Sequence, residues 1–211
     1  KGNSSILFLP NHPALIDPIL LMLLLYPDYA PKSVGDEYQV DKPFLKHFAD
    51  LFGVIRLPNL LRRGISGVDA TQSVIQTLVS ILKNGENLLL YPSGHLKREK
   101  LEILGSASAV ETLLKAVPEC RIVLVRQNGL WGSSFSYAYN GKAPHFVTSM
   151  IRGIAVFLKN FIFFTPKRTV TCEFVEPSDF PRNADRQTIN SYLENFYNKD
   201  KDFLYHYFFF F

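Results

Sequence analysis

Two titratable side chains near the start of the chain have the types and the spacing of a catalytic pair. His12 and Asp17 occur in the segment NHPALIDP of residues 11–18, with four residues between them. A neutral imidazole is well suited to remove a proton near pH 7, and it works better when its second nitrogen donates to a carboxylate. The pair could therefore deprotonate an alcohol or amine that attacks a thioester, as in a serine-protease triad whose hydroxyl comes from the substrate.

The same two residues also have a purely structural interpretation. Asp17 can serve only as the N-cap of the next helix, with Pro18 at its first position, and His12 can be an ordinary loop residue. A His five residues before an Asp arises easily by chance in a chain with five His residues. The spacing alone therefore does not decide between the two interpretations.

The elements that must position this pair alternate between strands and helices. An apolar run at residues 5–9 predicts a buried strand directly before His12, and a helix follows from Asp17 to residue 25, closed by Pro27. Further strands are predicted at 33–35, 54–57, 87–91, 121–125 and 169–175, and helices at 42–52, 68–83, 108–117, 144–164 and 185–198. This order predicts an α/β fold with a mixed, mostly parallel central sheet flanked by helices on both faces.

Composition limits the classes of protein and partner. A chain of 211 residues with 47% hydrophobic content suits a single domain, and a strand this close to Lys1 suggests a fragment of a longer protein. Cys120 and Cys172 are far apart, which favours a reducing environment and no disulfide framework. No cluster of metal ligands is visible, so no metal is expected. The net charge of +4 suits phosphorylated substrates or anionic lipid.

Aromatic residues are unusually frequent, and they suggest contact with lipid. The chain has 18 Phe, many of them in residues 157–164 and 205–211. No uncharged apolar run approaches the roughly 18–20 residues that a membrane span requires. We therefore expect a chain that lies on a membrane surface without crossing it.

Four ordered segments resemble the conserved blocks of the glycerolipid acyltransferases, the family that includes glycerol-3-phosphate and lysophosphatidate acyltransferases. Residues 11–18 resemble the first block, Asn-His, four residues, Asp-Pro. Residues 53–56 (GVIR) fit the second, residues 91–98 (YPSGHLKR) match the third in part, and residues 122–125 (IVLV) occupy the fourth without its usual proline. The resemblance covers about residues 4–126 and implies the acyltransferase fold.

A closer resemblance lies within that family. YPSG at residues 91–94, followed by VLVRQNGLWGSSFS at residues 123–136, is similar to acyltransferase modules of bacterial multidomain proteins that also carry acyl-activating ligases. This resemblance implies a fused or partner acyl-activating domain. It also implies a peripheral location at the cytoplasmic face of the inner membrane.

The resemblance assigns a role to each matching residue. His12 is the general base and Asp17 orients it. Arg56 is the best candidate for binding phosphate, followed by Lys97 or Arg98, because phosphate recognition requires cationic donors. Arg62 and Arg63 are further basic candidates in the next loop.

The third block departs from the family at one position. Ser93 stands where most members have Glu, a residue associated with holding the acceptor, so the identity of the acceptor is less constrained than the His-Asp chemistry. Ser93 and Gly94 remain candidate substrate-binding residues. His95 is a second imidazole in the same loop, which either assists in the site or fills a variable position.

The resemblance implies an O-acyltransferase of phospholipid biosynthesis. Its acyl donor would be acyl-CoA or acyl-carrier protein as co-substrate, without any cofactor. Its acceptor would be a lysolipid or a compound similar to glycerol phosphate, at a membrane surface. Two alternatives remain: an acyl thioesterase using the same dyad, and a lipid-binding module without activity. Nucleic acid is not expected as a partner, since the basic residues lie in the acyltransferase blocks rather than along one helix.

Overall fold

A six-stranded mixed sheet forms the centre of the computed structural model, which describes residues 4–42, 45–57, 67–161, 163–165 and 167–199. The strands are β1 (Ile6–Pro10), β2 (Lys32–Asp36), β3 (Ile55–Leu57), β4 (Leu88–Leu89), β5 (Arg121–Asn128) and β6 (Thr171–Val175). Their order is β3-β2-β4-β1-β5-β6. Every neighbouring pair is parallel except β5 and β6, which are antiparallel. The predicted mixed, mostly parallel sheet is confirmed.

Helices cover both faces of this sheet. They are α1 (Asp17–Tyr29), α2 (Glu37–Val40), α3 (Leu45–Leu51), α4 (Gly67–Lys83), α5 (Ala109–Ala116), α6 (Phe146–Lys159) and α7 (Arg186–Tyr197), with a 3₁₀ turn at Tyr137–Tyr139. Because side chains alternate along a strand, β1 contributes to two separate cores. Leu7 and Leu9 pack with residues of α4, α5 and α7, whereas Ile6 and Phe8 pack with residues of α1 and with Phe52. A strand buried on both faces explains the continuous apolar run before His12.

The structure corrects several predicted boundaries. Helix α1 begins at Asp17, and Asp17 does not cap it, since its carboxylate accepts from the upstream Ala14 N–H. The helix also continues past Pro27 to Tyr29, because a proline in the last turn removes only one backbone bond. The predicted helix at 42–52 begins at Leu45, after a separate short helix, α2.

The remaining differences are in element length. Strand β4 has only two residues, β5 extends three residues further than predicted, and α6 ends at Lys159 rather than at residue 164. Among the described residues, no helix is both long enough and apolar enough to cross a membrane. The aromatic segment 205–211 lies outside the described residues.

Candidate active site

The loop that carries His12 is held at the carboxyl end of β1 by Asn11. The Asn11 side chain donates from Nδ2 to the Gln127 carbonyl at 3.0 Å, and its Oδ1 accepts from the Gln127 N–H at 2.7 Å. Gln127 Nε2 donates in return to the Asn11 carbonyl at 3.0 Å. Both residues are buried. The Asn11 side chain thus forms the backbone hydrogen bonds that a further strand residue would form, and it attaches the loop to β5.

His12 and Asp17 form a close pair immediately after this anchor. His12 Nδ1 lies 3.0 Å from both Asp17 carboxylate oxygens. Asp17 is fully buried, while 14% of the His12 side chain is exposed. The Ala14 N–H donates to Asp17 Oδ2 at 3.1 Å. An ionised carboxylate only accepts, so the proton lies on Nδ1 and the free lone pair on Nε2.

Tyr91 fixes the plane of the imidazole from one side. The centroids of the His12 and Tyr91 rings are 4.2 Å apart, with the planes tilted by 33°. Burial and the neighbouring Asp17 charge raise the pKa of the Tyr91 hydroxyl well above its usual value. Tyr91 therefore packs against the His12 ring as a neutral phenol.

Glu102 is a buried carboxylate next to the dyad that the sequence analysis missed. Only 2% of Glu102 is exposed, and its Oε2 accepts from the His12 N–H at 3.4 Å. The Lys97 N–H donates to the His12 carbonyl at 2.8 Å. Burial raises the pKa of Glu102, while the positive charge of Lys97 acts in the opposite direction. The His12 backbone is therefore held on both sides by the loop between β4 and α5.

The C-terminal helix holds this loop in place. Asn198 accepts from the Glu102 N–H at 2.8 Å and donates to the Glu102 carbonyl at 2.9 Å. Glu194 accepts from the Leu104 N–H at 2.6 Å, and the Tyr197 hydroxyl donates to the Leu9 carbonyl at 2.9 Å. The end of α7 thus supports both β1 and the loop that contacts His12.

A large apolar cavity opens onto His12. It has a volume of about 680 Å³, and its walls come from α1, α3, α4, the segment after β4, and the start of α6. Most of its lining is hydrocarbon, including Met22, Phe48, Ala49 and Leu78. Such a cavity suits a flexible apolar chain whose reactive end lies at the imidazole.

The sequence matches a known protein family over most of the region that forms this site. The family model called Acyltransferase matches residues 1–127. The chain belongs to the acyltransferase family. No curated protein matches it with significance.

The fold of this acyltransferase is also seen among solved structures. Three solved chains match it, and one is the 1-acyl-sn-glycerophosphate (LPA) acyltransferase PlsC from Thermotoga maritima. That structure superposes with a TM-score of 0.56 and 15% identity, over 94% of this chain and 66% of the PlsC chain. The likeness supports the fold, and this acyltransferase spans about two thirds of the length of PlsC.

The third-block residues lie in the loop directly beside His12. Gly94 lines the cavity and has a positive φ of 66°, which favours glycine. The Ser93 hydroxyl donates to the His95 carbonyl at 2.8 Å, and His95 is exposed. Lys97 is buried, with its ammonium 4.9 Å from the centre of the Trp131 ring, whereas Arg98 is exposed. Of the two predicted cations in this loop, only Arg98 faces solvent.

Arg56 lies at the same edge of the sheet but further from the dyad. Its Nε donates to Asp41 at 2.7 Å, and its Nη2 donates to Asp50. Strand β3 is three positions away from β1, which corresponds to about 14 Å at the usual strand spacing. Arg56 does not line the cavity. Arg62 and Arg63 lie outside the described residues.

In the part of the chain that the structure describes, His, Cys, Asp and Glu side chains form no group that could hold a metal ion. The titratable pair that the structure places at the apolar cavity is His12 with Asp17.

Proposed function

We propose that this acyltransferase moves a long-chain acyl group from acyl-CoA or acyl-carrier protein to a hydroxyl of a lysophospholipid or related lipid. The observation that carries the proposal is the His12–Asp17 pair at an apolar cavity of about 680 Å³. The pair supplies a general base, and the cavity can hold an acyl chain. An acyl-activating ligase, fused to this chain or separate from it, would supply the donor.

The reaction follows from the orientation of the imidazole. His12 Nε2 accepts the hydroxyl proton of the acceptor while its oxygen attacks the thioester carbonyl. The new C–O bond forms, the C–S bond breaks, and the imidazolium returns the proton to the leaving thiolate. Asp17 stays ionised throughout and stabilises the imidazolium through Nδ1–H. The products are an ester and a free thiol.

We propose that a phosphate on the acceptor binds at Arg56 and Arg98. Arg56 is about 14 Å from β1 by strand spacing, and Asp41 and Asp50 hold its guanidinium in place. PlsC, whose fold is similar, is named for a phosphorylated acceptor. Ser93 contributes no charge at the position where the family usually has Glu, which leaves room for acceptors other than glycerol phosphate.

The proposed site of action is a membrane surface, with peripheral attachment at the cytoplasmic face of the inner membrane. The support is the content of 18 Phe residues, together with apolar side chains exposed on α1 and α6. The acyl chains of the lysophospholipid acceptor and of the product reside in such a membrane.

The test is transfer from a long-chain acyl thioester to lysophospholipids with different head groups, followed by mass spectrometry of the lipid products. His12→Ala is expected to abolish product formation. Full activity of His12→Ala would refute the dyad.

His47→Ala is the matched control, since His47 is an exposed imidazole on α3 and its loss should leave the rate unchanged. Release of free fatty acid at the same rate with and without acceptor would identify a thioesterase instead.

A further inference from the structure

Helix α6 exposes the side that a surface helix normally buries. Phe146 and Ser149 are its only fully buried residues. Val147, Ile151, Ile154 and Leu158 are 43%, 61%, 53% and 64% exposed. Their spacing places them along one stripe of the helix. A soluble helix turns such a stripe toward the core, so the exposed stripe of α6 requires another apolar environment.

The turn after α6 extends this apolar surface. Phe161, Phe163 and Phe164 are 78%, 89% and 79% exposed. Phe161 has a φ of +47°, a conformation that is unfavourable for a bulky side chain. The turn is held by the Phe164 N–H, which donates to the Asn160 carbonyl at 3.0 Å. Three phenyl rings are therefore displayed by a strained backbone that gains no core packing from them.

The segment that contains this surface carries only positive charges. No Asp or Glu occurs between Glu119 and Glu173, and Lys142, Arg152 and Lys159 lie in or beside α6. Arg152 and Lys159 are seven residues apart and lie on one flank of the exposed stripe. Apolar residues flanked by cations are typical of a helix in the interface of an anionic bilayer. A second copy of α6 on the same face would bring like charges together.

The start of α6 is attached to the active site. Phe146 lines the cavity that contains His12, and its ring centroid lies 5.7 Å from that of Phe135. The Phe135 carbonyl accepts from the Leu15 N–H at 2.9 Å, within the loop that joins His12 to Asp17. A surface that holds α6 therefore lies close to the cavity.

We propose that α6 and the turn to Phe164 form an anionic-lipid docking surface, with the apolar stripe in the acyl region and Arg152 and Lys159 at the head groups. Docking in this orientation places the cavity next to the bilayer that contains the lipid acceptor. The role in catalysis rests on the proposed function, whereas the docking itself can be measured separately.

The test is sedimentation of the whole chain with phosphatidylcholine vesicles, with and without phosphatidylglycerol. The wild type should bind the anionic vesicles more tightly. Arg152→Ala with Lys159→Ala should weaken that binding about 25-fold, at about fivefold per charge, with little change on neutral vesicles. Ile151→Glu should weaken binding to both kinds of vesicle by about tenfold or more.

Leu51→Glu is the matched control for Ile151→Glu. Leu51 is 72% exposed on α3, so the substitution removes an exposed apolar side chain and adds the same charge. It should leave vesicle binding unchanged. Equal losses in the two variants, or equal binding of the wild type to neutral and anionic vesicles, would overturn the proposal. A wild-type oligomer that Ile151→Glu dissociates, without any vesicle binding, would overturn it in favour of a protein interface.

Acyl transfer to a monomeric, water-dispersed lysolipid separates this proposal from the proposed function. Vesicle binding through α6 without acyl transfer would refute the function and leave the docking surface intact. Acyl transfer without vesicle binding would refute the docking surface alone.

Discussion

Replacement of Asp17 by Asn tests the assignment of the dyad most directly. The carboxylate accepts from two donors, His12 Nδ1–H and the Ala14 N–H, whereas an amide has a single acceptor oxygen. If that oxygen accepts from Ala14, the amide NH₂ faces Nδ1, so the ring must move its proton to Nε2. If the amide is reversed, two N–H groups face each other in a site with no exposure to solvent. The first arrangement leaves the substrate without a base, and the second keeps the base only by burying two opposed N–H groups, which is energetically costly.

The expected loss is large and falls on the turnover number. In a serine protease the equivalent change lowers kcat about 10⁴-fold, which corresponds to about 5.4 kcal/mol of transition-state stabilisation. We expect a loss on the order of 10³–10⁴-fold for Asp17→Asn. KM should change little, because the fully buried Asp17 side chain has no surface that could touch a substrate.

Steady-state rates with varied acceptor and varied donor measure both constants. Asp28→Asn is the matched control, since Asp28 is exposed on α1 and its amide should retain full activity. Fluorescence of Trp131, the only tryptophan in the chain, checks that the variant is folded. Turnover of Asp17→Asn within about threefold of the wild type, in a folded protein, would show that Asp17 does not orient the base.

Three further predictions concern the cavity, the phosphate site and the buried carboxylate. Ala49→Leu adds hydrocarbon to the cavity wall and should shift the preference toward shorter acyl chains, with kcat/KM falling about fourfold per excluded methylene, at about 0.8 kcal/mol each. An unchanged preference across a series of acyl chain lengths would exclude an acyl chain at Ala49. Arg56→Gln should raise KM about tenfold or more for a phosphorylated acceptor, because a bond to a charged group contributes about 1.5–3 kcal/mol, and should not affect an unphosphorylated acceptor; equal effects on both would contradict the phosphate role. Glu102→Gln should alter the pH dependence of stability. Burial raises the pKa of Glu102 in the folded state, so the unfolding free energy of the wild type relative to the variant should fall as the pH rises through that pKa; a difference independent of pH in urea titrations would contradict this.

The contact between His12 and Asp17 could be predicted from sequence because its geometry is local. A strand, four intervening residues and a helix start bring Asp17 back to His12, and no distant contact is needed for that arrangement. The interpretation of Asp17 as a helix cap failed for a related reason. The Ala14 N–H lies within the same turn and donates to the Asp17 carboxylate. A short-range pattern does not distinguish a carboxylate that accepts from the preceding loop from one that caps the following helix.

Glu102 could not be predicted, since its role depends on contacts far apart in sequence. It follows Leu101 and precedes Ile103, which are both about half exposed. In this segment the charged side chain is buried and its apolar neighbours are exposed, which is the reverse of the usual distribution. His12 is 90 residues before it and Asn198 is 96 residues after it. No local pattern indicates that a charged residue between two apolar ones faces inward.

Helix α6 illustrates a second limit. The apolar sequence at 144–164 predicts a helix, and the structure has one at Phe146–Lys159, but the sequence does not specify which side of it faces the protein. Only the structure reveals that Ile151 and Leu158 point outward. The same sequence pattern would suit an ordinary helix packed against the sheet.

The bonds from Tyr197 to Leu9 and from Asn198 to Glu102 have a consequence for synthesis of the protein on the ribosome. The candidate pair His12 and Asp17 lies far ahead of α7 in the sequence, yet its supports include residues 197 and 198. At about 5–20 residues per second, the interval between translation of Asp17 and of Asn198 is about 10–35 s. During that interval the base is present without the helix that holds its loop. Activity should therefore not arise before α7 has been translated, and a chain released before α7 should carry His12 and Asp17 without an ordered site.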